Sequence, residues 1–295
     1  MPVAVRPHFE WALRTRALAL GGRTLVAGVV NVTPDSFSDG GQFALPEQAV
    51  AHALRLLEEG ADIVDLGGES TRPGAHAAVS AQQEQDRVLP VLEALLQERP
   101  AAIVSIDTYK AATARAAVAA GAEIVNDVSG FLWDEAMAGV CAEMQCGVIL
   151  THTRGHMRQW RALPPLAAQE VVPLVLRELR ERAETARRAG LAHASIVLDP
   201  GFGFGKSFDE NYPLLARLEA LHALGYPILA GTSRKSFLGR TLAQIHGEDA
   251  PPDRRGNATL ASIAACVLAG AHLVRVHDVL AAREAVAIAD AIRGS

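Results

Sequence analysis

The sequence predicts a (β/α)8 barrel in a single domain, and three observations lead there. The stretches GADIVDL from Gly60, GAEIVND from Gly121 and GAHLVRV from Gly270 repeat one unit. In each, a helical Ala/Leu-rich segment ends at a glycine and gives way to a short apolar strand with a polar end. Five further strand-length apolar runs alternate with helical segments: 24–30, 102–106, 147–150, 195–198 and 227–230. No Gly/Ser linker or composition shift divides the 295 residues, a length that suits one barrel of about 250 residues. Strands alternating with helices imply a parallel sheet, and eight uninterrupted units favour closure. An open doubly wound sheet with a miscounted strand is the structural alternative.

The elements follow in order. Residues 1–23 read as an N-terminal extension leading into a barrel domain spanning 24–295. After the first strand, Val50, Ala53, Leu54 and Leu57 form a one-sided stripe over 47–59, the spacing of an amphipathic helix. Ser80 with Gln83 resembles a capping box before a helix over 81–98, which Pro90 should kink. The alanine run 111–120 reads as helix. Segment 166–189 is a long amphipathic stretch, and the last helices, 257–269 and 279–292, are rich in Ala, Val, Ile and Leu.

Composition narrows the function. The chain is 49% hydrophobic and 21% charged, with net charge −5 and a pI near 6.1, so it lacks a basic footprint for nucleic acid. No apolar run is long enough to span a bilayer. Cys141, Cys146 and Cys266 lack zinc-ligand spacing and fall on expected helices, which suits a reducing compartment. The first twenty residues mix Glu and Arg into their apolar positions and offer no signal-peptide core. A cytoplasmic protein is expected.

In such a barrel the site lies where the strands finish. Those ends are Asn31, Asp65, Asp107, Asn126, His152, Asp199, Thr232-Ser233, and Arg275 with His277. Any one could be a capped strand end, but all are polar on otherwise apolar strands. Asp107, Asn126 and Asp199 suit a flat heterocycle rich in N–H donors. Lys235, Arg275 and His277 suit a phosphate or carboxylate. Asn31 and the acids of NVTPDSFSDGG could place a hard divalent cation. Nothing has the pattern of an activated nucleophile. The residues themselves lead to a barrel enzyme acting on a heterocycle that bears an anionic group.

The stretch LDPGFGFGKSF (198–208) raises a different possibility, a phosphate-cradling loop. A phosphate loop needs glycine at 200, where Pro200 stands, and a dinucleotide fingerprint needs glycine at 206, where Lys206 stands. Both templates fail by one residue.

VNVTPDSFSDGG, GGESTRPGA, SIDTYK, NDVSG, LDPGFGFGK, GTSRKSF and VRVHDV, in this order, resemble the dihydropteroate synthase family of folate biosynthesis, from about residue 24 to the C-terminus. The resemblance implies an eight-stranded barrel that condenses a dihydropterin-methyl diphosphate with 4-aminobenzoate and releases diphosphate. It implies that Asp107, Asn126, Asp199 and Lys235 form the pterin pocket, and that Phe204 faces the aminobenzoate ring. Asn31, Arg275 and His277 would hold the diphosphate, with Mg²⁺ beside Asn31. Asp35 would lie in a first mobile loop, and Thr71 and Arg72 in a second. Ser236, at a helix start, would receive the aminobenzoate carboxylate. The catalytic set would be Asp107, Asp199, Lys235, Asp35 and Arg72. The glycines of 201–205 would let backbone approach the ligand, and Lys206 would be a solvated loop lysine. A homodimer through the last helices is implied as well.

One segment departs from the pattern. Where the family reads Leu-Met-His-Met, this chain has LTHTRGHMRQW, so Thr151 and Thr153 replace methionines, one of which lines the pterin pocket. His152 and His156 have the spacing of a helical metal pair, but Gly155 and the strand end argue against a helix there. Two rivals share the pocket chemistry: a pterin-binding methyltransferase, which needs neither GGESTRPG nor TSRKSF, and a silent paralogue, which should have lost Asp107, Asp199, Lys235, Arg275 or His277.

Overall fold

The computed structural model describes residues 3–33, 45–70 and 79–295. Two short strands, β1 (Phe9–Ala12) and β2 (Ala17–Leu20), form an antiparallel hairpin. Eight parallel strands follow: β3 (Leu25–Asn31), β4 (Ile63–Gly67), β5 (Val104–Asp107), β6 (Ile124–Asp127), β7 (Gly147–Thr151), β8 (Ile196–Asp199), β9 (Leu229–Ala230) and β10 (Leu273–Val276). Their spatial order is β8-β7-β6-β5-β4-β3-β10-β9. A bridge between Leu198 and Ile228, with Leu198 N–H donating to Pro227 O at 2.9 Å, joins the two edges. The sheet thus closes into a (β/α)8 barrel, and all eight expected strands are present.

The helices connect the strands on the outside: α1 (Leu45–Glu58), α2 (Ala81–Glu98), α3 (Ala111–Ala119), α4 (Met137–Met144), α5 (Ala168–Arg188), α6 (Asn211–Ala216), α7 (Ser236–His246), α8 (Gly256–Leu268) and α9 (Val279–Gly294). Ser80 caps α2 as its sequence predicts: its Oγ accepts from Gln83 N, and Gln83 Oε1 accepts from Ser80 N at 2.9 Å. Pro90 does not end α2, which runs through it as one helix. Cys146 corrects the expectation that all three cysteines are helical, since it lies between α4 and β7; all three are unpaired, buried thiols.

Strand alternation divides the core in two. Residues such as Val64, Leu66, Val125, Val148 and Leu198 point outward and pack against the helices. Ile63, Ile124, Ile149, Val197, Leu229 and Leu273 point inward and fill the lower barrel. The hairpin β1–β2 lies under this inner cluster and adds the fully buried Trp11, whose indole N–H donates to Ser195 O at 3.0 Å. Gly147 packs closely beneath it, where a Cβ would sit 2.7 Å from Leu13 Cδ2. The N-terminal segment is therefore the floor plug of the barrel.

Candidate active site

The same alternation places the site. Two residues beyond each inner apolar position, the inward face turns polar: Ile63 leads to Asp65, Ile124 to Asn126, Val197 to Asp199 and Leu273 to Arg275. On β5 the step runs from Ile103 through Ser105 to Asp107. Strand register brings Asp107 beside Asn126, and Asp65 beside Ser105.

These side chains interact directly. Arg275 Nε donates to Asp65 Oδ2 at 2.5 Å, and its Nη2 donates to Asp107 Oδ2 at 2.6 Å. Asn126 Nδ2 donates to the same Asp65 oxygen at 3.1 Å. Burial pushes the Asp107 carboxyl above the ordinary carboxylate range, while Arg275 pulls it back and Asp65 and Glu84 push it further up. Burial opposes the charge of Arg275, yet Asp65 and Asp107 raise the guanidinium above its ordinary value. Asp199 is also raised by burial, against the pull of the Gly201 N–H that donates to its Oδ1 at 2.7 Å and of Lys235, Lys206 and Arg275. The floor of the mouth is a cation held between carboxylates, with an amide beside it.

The remaining residues ring this floor. Arg234 adopts a left-handed φ of +57°, with its N–H donating to Thr259 Oγ1 at 3.0 Å and its carbonyl accepting from Arg255 Nη1 at 2.8 Å. That turn presents Lys235 as the N-terminal flanking residue of α7, with its Nζ 3.8 Å from the centroid of the Phe204 ring. Ser236 is the exposed first residue of α7. Ser233 Oγ lies 3.0 Å from His277 Nδ1, which fixes that imidazole two residues beyond Arg275. Asn31 ends β3, half-buried, paired in register with Gly67. Asp35, Thr71 and Arg72 lie outside the described residues.

The loops after β7 and β8 differ from expectation. Lys206 is buried, not solvated, and its ammonium donates to Gly201 O at 2.7 Å, Phe204 O at 3.3 Å and His152 O at 3.4 Å. Burial pulls its pKa well below the ordinary lysine value, and Arg182 adds repulsion. Two of the glycines in this loop allow close backbone contacts. At Gly201, φ +67°, a Cβ would lie 1.9 Å from His152 O; at Gly205 it would lie 2.7 Å from Arg154 O. At these two positions the glycines let the loops touch. Arg154 ties the same loops, donating to Gly205 O at 3.1 Å and pairing with Glu210 at 3.3 Å. Thr151 and Thr153 are buried, their carbonyls held by Arg182 at 2.8 Å each. His152 Nε2 lies 3.1 Å from Glu178 Oε2, whereas the His156 ring packs on Trp133 at 4.6 Å, so the two histidines turn to different partners.

Two residues of the site have roles that sequence reasoning did not assign. Asp65 reads as one polar strand end among eight, yet it holds both Arg275 and Asn126. Lys206 carried a faint signal, because a loop alternating glycine leaves bare carbonyls that a neighbouring ammonium can gather.

A closed barrel with an acid–amide floor and cations around its mouth defines an enzyme built to hold a flat heterocycle together with an anion. The chain belongs to the family of pterin-binding enzymes, whose model matches residues 27–277, and within it to the dihydropteroate synthases. The dihydropteroate synthase of Mycobacterium leprae is 46% identical over 266 residues, which cover 90% of this chain and 92% of that protein. The structure of the Xanthomonas albilineans dihydropteroate synthase with 4-aminobenzoic acid is 42% identical, with a TM-score of 0.87 over 98% of this chain and 100% of that one. The same enzyme in complex with 7,8-dihydropteroate aligns over 98% of this chain and 100% of that one, at 40% identity and a TM-score of 0.82.

Proposed function

We propose that this chain condenses (7,8-dihydropterin-6-yl)methyl diphosphate with 4-aminobenzoate, giving 7,8-dihydropteroate and diphosphate. The observation that carries this reading is the floor itself: Asp107, Asn126 and Asp199 on the inner face, with Arg275 bound between Asp65 and Asp107. The acids and the amide match the N–H donors and ring acceptors of a pterin. Lys235 stands beside them over Phe204. Arg275 on the last strand and His277 just past its end receive the diphosphate.

In the reaction the bond from the pterin methylene to the diphosphate oxygen breaks, and a bond to the arylamine nitrogen forms. The diphosphate takes the electron pair, and the amine loses a proton to solvent. Arg275 and His277 stabilise the departing charge. Asp107 and Asp199 stabilise the positive charge that develops on the methylene. An arylamine is already nucleophilic, so positioning supplies much of the rate. Phe204 lies against the aminobenzoate ring, and Ser236 with the first amides of α7 receives its carboxylate.

Magnesium fits this donor set. Among the described residues no group of three His, Cys, Asp or Glu side chains could cage a metal ion, but Asn31 offers an oxygen at the mouth. Mg²⁺ is characteristically held by few protein oxygens together with substrate phosphates. Bound there, it would neutralise the diphosphate.

The chain acts as a homodimer in the cytoplasm. Leu280, Ile288 and Ile292 leave an exposed apolar stripe on α9, beside α8, and the three cysteines are unpaired. Among the described residues no helix is long and apolar enough to cross a membrane. Asp35 and Arg72 would take part in catalysis and Thr71 in substrate binding, as the family resemblance implies; all three lie outside the described residues.

Purified protein given both substrates and Mg²⁺ should form dihydropteroate and release diphosphate, and omission of either substrate should abolish both. Absence of product at high enzyme concentration would overturn the assignment.

A further inference from the structure

Thr153 stands where the family pattern has a methionine, and it does what a methionine cannot. Its hydroxyl accepts the Trp160 indole N–H at 3.1 Å and lies 3.4 Å from Gly155 O as donor, so both its hydrogen-bonding functions are used. Thr153 is itself buried, and Arg182 anchors its backbone. The bond sets Trp160 edge-on to Phe204, with ring centroids 5.4 Å apart at 64°. The Gly205 backbone passes beneath the indole, where a Cβ would lie 3.0 Å from Trp160 Cδ1. Phe204 therefore has an indole on one side and the Lys235 ammonium over its face.

We infer that Thr153 and Trp160 form a positioning pair that locks the Phe204 ring and so preorganises the arylamine side of the pocket. This rests on the reading that Phe204 faces the aminobenzoate ring. An aromatic wall held in place before binding loses less rotamer freedom when the ligand arrives. Removing the Thr153 hydroxyl frees the indole to turn, and Phe204 loses the neighbour that fixes it. Asp65, Asp107 and Asn126 do not touch this chain of contacts, and Lys235 of the pterin pocket meets it only over the Phe204 ring, so pterin binding should respond less than aminobenzoate binding.

The test measures KM for each substrate in T153V, T153S, W160F and F204A. T153V removes the hydrogen bond at nearly constant volume, and W160F removes it together with the pyrrole part of the indole. Each should raise the 4-aminobenzoate KM about two- to tenfold, the factor one neutral hydrogen bond carries, with a clearly smaller change in the pterin diphosphate KM. T153S should retain the original values, and T153V/W160F should cost less than the two single effects combined, since the Thr153–Trp160 bond is lost in both. If F204A raises the aminobenzoate KM while T153V and W160F do not, the positioning pair is refuted and the role of Phe204 stands. If F204A leaves that KM unchanged, the role of Phe204 fails and the inference goes with it. An equal rise in both KM values for T153V and W160F would mark a general structural effect and overturn the pair as well.

Discussion

Asp65 Oδ2 accepts at once from Arg275 Nε at 2.5 Å and from Asn126 Nδ2 at 3.1 Å, so one buried oxygen aligns a cation and an amide. Asp65 itself is a positioning residue beneath the pocket. Asp65→Ala would leave Arg275, partly buried at the floor of the mouth, with Asp107 alone. Breaking a buried pair in this way costs about 3–5 kcal/mol, and the retained Asp107 puts the expectation near the lower end. Urea denaturation should show that loss. Asp65→Asn keeps the shape and one acceptor, so it should be milder in stability while kcat/KM falls. A variant as stable and active as the parent would remove Asp65 from the site.

Asp199 should matter to pterin affinity more than to folding. Its carboxylate accepts from Gly201 N, and the inner apolar layer lies below it. Asp199→Asn keeps an acceptor for that amide while removing the charge aimed at the mouth. Pterin binding measured by calorimetry should weaken by about 1.5–3 kcal/mol, the range for hydrogen bonds to charged groups. Unchanged affinity would exclude Asp199 from the pterin contact.

Lys206 holds the β7 and β8 loops together through three carbonyls. Lys206→Met fills similar volume but donates nothing. Losing these donated bonds should destabilise the protein by about 1–3 kcal/mol, and the 4-aminobenzoate KM should rise because Phe204 belongs to the same loop. Thermal unfolding with substrate kinetics checks both. If neither changes, the three carbonyls find other donors and Lys206 is dispensable.

Acid should weaken the floor plug. His272 Nδ1 faces the Ile228 N–H at 3.0 Å, so it must be the acceptor, which places the ring proton on Nε2, donating to Pro7 O at 2.9 Å. Burial lowers this imidazole to about 3 from its ordinary 6.5. Between those values the unfolded chain binds the extra proton and the folded chain does not. Stability is therefore complete above the unfolded pKa and falls as pH drops from about 6.5 toward about 3. By about pH 4.5 the loss should be on the order of 2 kcal/mol. Urea midpoints across that range should fall less steeply in His272→Gln than in the parent; equal slopes would show that other groups carry the acid sensitivity.

Much of the barrel is legible in the chain because its signals are local. Each Gly-Ala-x-Ile/Leu-Val unit ends a helix and starts a strand within seven residues, and Ser80 with Gln83 caps α2 through its own backbone. Polar strand ends are equally visible, since alternation and the barrel rule require no knowledge of neighbours. Pro90 shows the limit of local reasoning: a residue that disfavours helix interiors sits within α2, whose Val88, Val91, Leu92 and Leu95 are buried against the barrel.

What the sequence determined by itself was the repeat, the inward polar face and the family whose motifs it carries. Tertiary structure alone decided who meets whom. Arg275 joins Asp65 and Asp107 across 210 and 168 residues, and no spacing rule reaches that far. Lys206 became buried because loop closure brought the His152 carbonyl to it from another strand. Trp160 found Thr153 only once the chain had turned through Gly155. A side chain's type and face are set by bonds to its neighbours in sequence, but its partner is set by barrel closure, which couples strands far apart in the chain.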